Sequence, residues 1–175
     1  MAGTLEVVPY SEAWPLVFQA LKARVEPALG ALCQRIEHVG STSVPGLPAK
    51  PVIDIDVVIE RDDQLGDAIE RLAAIGYEYQ GDKGVPGRYA FGSPPGLPEH
   101  HLYVCAEDNP ELLRHLQFRD YLRRHPEEAA AYGRLKRRLA MENPVDRAAY
   151  GEGKTRWIER TLGLARHETL SNTTR

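Results

Sequence analysis

Apolar positions in this chain follow two rhythms, and the rhythm changes twice. From Ser11 to Cys33, Trp14, Phe18, Leu21, Val25, Ala28 and Leu32 recur at steps of three and four, which predicts a helix with one buried face. Ser11 is placed to cap it, while Pro15 and Pro27 are expected to shift its start and to kink or break it at Glu26. Arg35 to Val39 then reads as a short strand. After a loop rich in Gly, Ser and Pro, the β-branched run Pro51 to Ile59 reads as a second strand. Helical spacing returns at Leu65, Ile69, Leu72 and Ile75, with Asp62 or Asp63 as the expected cap and Gly76 as the stop. Tyr77–Gln80, Arg88–Phe91 and His101–Cys105 are three further strand candidates. Asn109-Pro110-Glu111 is a strong helix start, and helices are expected over Pro110–Arg124, Pro126–Met141 and Asp146–Leu164. This order predicts an α+β fold, a small mixed sheet with packed helices followed by an all-helical C-terminal part. Residues 1–165 are read as one domain and 166–175 as a frayed tail.

The 175 residues include only two cysteines, Cys33 and Cys105, too few for a disulfide framework or a Cys-based zinc site. With no apolar run of membrane-spanning length and no secretory pattern at the start, the expectation is a cytoplasmic protein away from membranes. The net charge of −3 conceals an asymmetry. Residues 1–110 carry 8 Lys/Arg against 16 Asp/Glu, whereas residues 111–175 carry 14 against 9. Such a split suits either solvated helix faces or a basic half set against an acidic centre that binds an anionic ligand. No compact Lys/Arg cluster marks a nucleic-acid binder.

Strand side chains alternate between faces, so Asp54 and Asp56 share one face while Ile53, Ile55, Val57 and Ile59 share the other. Their Cα atoms lie ~7 Å apart, close enough for both carboxylates to lean on one cation. Neighbouring carboxylates repel, and a hard divalent ion such as Mg²⁺ or Mn²⁺ relieves that; a solvated edge strand is the other reading. Upstream, Gly40-Ser41-Thr42 follows a strand and precedes Asp54 by a short loop. Glycine lets the backbone approach a ligand, and a hydroxyl with neighbouring N–H groups can hold phosphate oxygens. Lys50, just before the acidic strand, can reach the same phosphates. Tyr121, Tyr132, Tyr150 and Trp157 stand at helical spacing and read as core.

An apolar residue followed by Gly40-Ser41 and later by Asp54-Ile55-Asp56-Val57 resembles the signature of the nucleotidyltransferase superfamily. The longer block Ile36-Glu37-His38-Val39-Gly40-Ser41-Thr42-Ser43-Val44-Pro45-Gly46-Leu47, with Ala49-Lys50-Pro51-Val52-Ile53-Asp54-Ile55, resembles the GrpB branch. So do His101-Leu102-Tyr103-Val104, Phe118-Arg119-Asp120-Tyr121, Leu135-Lys136, and Tyr150 with Lys154. The resemblance implies a nucleotidyltransferase-like fold in which Asp54 and Asp56 hold Mg²⁺ or Mn²⁺. It further implies that Gly40, Ser41, Thr42, Lys50, Arg119, Lys136 and Lys154 receive the phosphates of a nucleoside triphosphate, ATP above others. Active members of the superfamily add a third carboxylate from a later strand. Here the candidate strand offers His101, Tyr103 and Cys105, with Glu99 just before it, so His101 is the expected substitute ligand or general base. The expected activity is metal-dependent nucleotidyl transfer to a small molecule or protein, or else nucleotide binding without catalysis. Arg119 is not expected to pair with Asp120, because adjacent helix positions diverge.

Overall fold

A computed structural model describes residues 5–173 of the chain. Helix α1 (Ala13–Leu29) leads into strands β1 (Arg35–Val39) and β2 (Ile53–Ile59); then come helix α2 (Leu65–Ala73) and strands β3 (Glu78–Tyr79), β4 (Arg88–Gly92) and β5 (His100–Ala106). Helices α3 (Pro110–Arg124), α4 (Pro126–Glu142) and α5 (Arg147–Thr173) complete it. The strands form one sheet in the order β1-β2-β5-β4-β3, antiparallel except for the central β2–β5 pair. A parallel pair requires a long crossover, and the segment from 60 to 99, holding α2, β3 and β4, provides it. This is the α+β fold with a helical C-terminal part that the residue pattern predicts.

The two faces of β2 explain the register. Ile53, Ile55, Val57 and Ile59 enter the main core with Trp14, Phe18, Leu21, Val25 and Leu29 of α1 and with Leu72 of α2. Each such side chain stabilises the fold by about 1.5–3 kcal/mol when fully buried. A slip of one residue would drive Asp54 and Asp56 into that core, so the apolar row fixes where both carboxylates emerge. The opposite face is closed at its far end by α3, whose Leu112 and Leu116 pack on Val58 and Cys105.

Some local expectations need correction. Pro27 does not break α1 at Glu26: the helix continues to Leu29, and the Glu26 carbonyl accepts a bond from Gly30 N–H. Pro27 sits in the last turn, where few hydrogen bonds remain to be lost. Asp62 does not cap α2 but accepts a hydrogen bond from the Tyr89 hydroxyl at 2.8 Å. The α2 start is instead preceded by a turn in which Gln64 Oε1 accepts from Arg61 N–H. Helix α5 runs through Thr173, the last described residue. Asn109 caps α3 as its sequence predicts, accepting from Glu111 and Leu112 N–H. Among the described residues no helix is long and apolar enough to cross a membrane.

Candidate functional site

Asp54 sits mid-sheet, paired with Val39 on β1 and with His101 on β5. The turn after β1 presses against it. Gly40 has φ 71°, and a Cβ there would lie 2.2 Å from Asp54 Oδ2, so both the backbone angle and the carboxylate demand glycine. The turn is tied down on several sides. Ser43 donates to the Gly40 carbonyl at 2.6 Å, and Arg123 of α3 donates to the Ser43 carbonyl at 2.8 Å and 3.0 Å. Thr42 Oγ lies 2.9 Å from His38 Nε2 and donates to the Val52 carbonyl. His38 stacks on Phe18, and burial, helped by Arg123, holds its pKa down at about 4, so it is neutral. The Thr42 hydroxyl is therefore used within the fold, whereas Ser41 Oγ makes no hydrogen bond to a described residue.

A cavity of about 210 Å³ opens beside this turn, lined by Ser41, Lys50, Asp54, His101, Lys136 and Lys154 among others. The lysines arrive from three separate elements. Lys50 comes from the loop before β2. Lys136 comes from α4, which approaches that loop closely because Gly133 leaves room: a Cβ there would meet Pro48 Cδ at 2.8 Å. Lys154 comes from α5, one turn after Tyr150. The ammonium groups of Lys50 and Lys154 stand 4.5 Å and 4.3 Å from the Tyr150 ring centroid, a favourable cation–π arrangement. Lys136 is only 2% exposed and donates to the Pro48 carbonyl. Burial above all, with the charges of Lys154 and Arg137 adding to it and Asp54 opposing, lowers its pKa to about 7. Burial likewise brings Lys154 down to about 8, with Lys50 adding to the effect. Among the described residues none of the three lysines has a carboxylate within 4 Å. Opposite them, His101 Nδ1 lies 2.9 Å from Asp54 Oδ1, and that hydrogen bond raises the imidazole pKa against the effect of burial.

Three expected residues do not line this cavity: Gly40, whose turn borders it, Arg119 and Asp56. Arg119 donates to Glu37 at 2.7 Å, to Asp120 at 2.7 Å and to the His38 carbonyl at 3.1 Å. It clamps α3 to β1 rather than facing a ligand, and its flexible stem folds back to the neighbouring Asp120 that helix geometry alone would separate. Asp56 is 0% exposed. Its Oδ2 accepts from His115 Nδ1 at 2.6 Å, and its Oδ1 faces Arg88 Nε at 3.8 Å. Among the described residues there is no group of three or more His, Cys, Asp or Glu side chains placed to hold a metal ion. Asp54 and Asp56 as a joint Mg²⁺ or Mn²⁺ site do not fit this arrangement, because one of the two is enclosed with cationic and N–H partners.

His115 and Arg88 are the residues that sequence reasoning missed. His115 had a signal: it lies on the α3 stripe Leu112, His115, Leu116, Arg119, Leu122, which faces the sheet and the helical core. Arg88 had none, since its partner is two strands away. Tyr132 and Trp157 stack at 4.5 Å within the helical core as expected; Tyr150 is buried too, but it also lines the cavity.

The five-stranded mixed sheet thus sets an acidic residue at a glycine turn against a lysine-lined cavity. The model of the GrpB protein family matches residues 4–163, and the chain belongs to that family. It is 36% identical over 155 residues to the protein YqkA of Bacillus subtilis, covering 89% of this chain but 45% of YqkA, so it spans less than half of that relative. The crystal structure of GrpB from Enterococcus faecalis superposes with a TM-score of 0.85 at 36% identity, over 94% of this chain and 99% of that one. The Cid1 poly(U) polymerase bound to MgATP overlaps at a TM-score of 0.48 and 12% identity, over 74% of this chain and 45% of that one. An overlap that slight carries nothing about activity.

Proposed function

We propose that this protein binds a nucleoside triphosphate, ATP foremost, through its phosphates in the lysine cavity and passes the nucleotidyl group to a small-molecule or protein acceptor. The observation that carries this is the set Lys50, Lys136 and Lys154 converging without carboxylate partners on a cavity that also holds the Asp54–His101 pair. Uncompensated, half-buried ammonium groups are unfavourable unless an anion joins them. In the transfer, an acceptor hydroxyl oxygen bonds to the α-phosphorus and its proton passes to His101 Nε2. The bond to the bridging oxygen breaks, and pyrophosphate leaves with the electron pair. Asp54 orients the imidazole through Nδ1–H and steadies the imidazolium that forms, while the lysines offset charge on the departing pyrophosphate.

A second reading, nucleotide binding without transfer, draws on the enclosure of Asp56. Incubation with α-labelled ATP and a cell extract separates the two. Label moved by the parent and lost in His101→Ala supports transfer. Nucleotide binding by calorimetry with no label moved supports the binding module. No binding of any triphosphate removes both.

A further inference from the structure

Asp56 and Arg88 present a pair of matching deficits. Asp56 Oδ1 and Arg88 Nε are both buried and both without a hydrogen-bond partner, and they face one another at 3.8 Å. Bringing them to a normal N–H···O distance of about 2.9 Å would satisfy both at once. Arg88 is held in place from its other side, where its guanidinium carbon lies 3.3 Å from the Tyr103 ring centroid. The second oxygen of Asp56 is already taken by His115 at 2.6 Å. A fully buried carboxylate needs a counter-charge, and here β4 and α3 bring it as side chains. A divalent ion reaching Asp56 would have to displace His115 and sit against the Arg88 charge.

The phosphate side of the cavity tells the same story. A polyphosphate is usually neutralised by a divalent ion that bridges it to protein carboxylates. This cavity opposes three lysines to the single carboxylate of Asp54, leaving an excess of positive charge for the ligand itself to balance. At about 210 Å³ the cavity is smaller than the ~300 Å³ at which pockets begin to enclose a drug-sized molecule. It takes a phosphate chain and leaves the rest of the ligand outside.

We infer that Arg88 and His115 take the place of a metal beside Asp56, so that the lysine cavity receives a di- or triphosphate as the free anion, without a divalent ion. This rests on the reading of the cavity as a phosphate site. Calorimetry of the full chain with inorganic tripolyphosphate, in EDTA and again in excess Mg²⁺, tests it. The expected result is binding in EDTA at least as tight as in Mg²⁺, weakened tenfold or more in Lys136→Met. Binding that appears only with Mg²⁺, or tightens tenfold in it, overturns the inference while leaving the phosphate site standing. No binding in either buffer overturns the phosphate site and the inference together. Thermal unfolding of the ligand-free protein is the second measurement. Mn²⁺ is expected to leave the parent's melting temperature unchanged and to raise that of Arg88→Met, where Asp56 has lost its counter-charge. Should Arg88→Met not fold, His115→Gln replaces it. An equal Mn²⁺ shift in parent and variant shows that the ion reaches Asp56 despite Arg88, and the inference falls.

Discussion

Replacing Lys136 by Met separates what this residue does for folding from what it does for a ligand. The ammonium is 2% exposed, and its pKa lies at about 7 against an ordinary 10.5. At 1.36 kcal/mol per pKa unit, holding that charge in the ligand-free fold costs at most about 5 kcal/mol. Methionine keeps most of the apolar stem but leaves the Pro48 carbonyl without its donor, a loss of about 1–3 kcal/mol. Below pH 7 the charge is present in folded and unfolded chains alike, so the full penalty stands and, with about 2 kcal/mol lost at Pro48, Lys136→Met gains about 3 kcal/mol. That corresponds to a melting temperature higher by about 6–12 °C for a chain of this size. Between pH 7 and 10.5 the folded parent gives up the proton that the unfolded chain keeps, so the parent gains stability as pH rises. With about 2 kcal/mol lost at Pro48, the two proteins are expected to be equally stable near pH ~9, and the parent to lead above it. Lys154 titrates in the same sense in both and largely cancels in the difference. Thermal unfolding of both proteins from pH 6 to 10 gives the answer. A variant less stable than the parent at pH 6, or a difference that stays flat with pH, would refute the account of Lys136 as a buried, uncompensated cation. The same substitution should remove most tripolyphosphate binding, making Lys136 a residue that trades stability for a ligand.

Gly40→Ala is expected to destabilise by about 2–4 kcal/mol, read by urea unfolding, since its Cβ would occupy the space of Asp54 Oδ2 in a backbone conformation alanine resists; a loss below about 0.5 kcal/mol would show that the turn can move away. Ser41→Ala should leave the melting temperature within about 1 °C and weaken tripolyphosphate several-fold, because its hydroxyl makes no hydrogen bond to a described residue. Arg119→Ala should lose about 1–3 kcal/mol by releasing Glu37 and the His38 carbonyl, while binding tripolyphosphate like the parent once folded; weakened binding at full folding would return Arg119 to the phosphate site. In any transfer assay the rate should rise as His101 loses its proton and fall as Lys136 and Lys154 lose theirs, a bell; a rate still climbing past pH 10 would exclude lysine assistance.

How much of this was legible differs between fold and site for one physical reason. Helix and strand periodicity is local: Trp14, Phe18, Leu21 and Val25 announce a buried helix face, and the β2 alternation announces which residues go inward. The bounds of α3 could be read to the residue because Asn109-Pro110 and His125-Pro126 punctuate them chemically. Misreadings came where tertiary contacts outweighed local preference. Asp62 had a choice between capping a helix and meeting Tyr89, a residue 27 positions away, and periodicity contains no information about that.

The site shows the same division more sharply. Alternation along β2 correctly puts Asp54 and Asp56 on one face, yet a face is not an environment. Asp54 lies at the end where the glycine turn and the lysine cavity meet. Asp56 lies two residues further on, where α3 has come down on the sheet with Leu112 against Val58 and His115 over the carboxylate. The α3 register decides this: its stripe sets Leu112, His115 and Arg119 in succession against Val58, Asp56 and Glu37, and Glu37 is the cross-strand partner of Asp56. A sequence read strand by strand shows two equivalent carboxylates. The packed helix leaves one of them facing the cavity and makes the other the centre of an internal ion network, and it does so with residues more than fifty positions away. The contacts of Arg119 have the same cause, since a basic residue on a sheet-facing helix stripe meets the acids of the sheet before it meets solvent. Lys136 and Lys154 escape that fate because α4 and α5 approach the loop and cavity rather than the acidic strands, and among the described residues neither has a carboxylate within 4 Å.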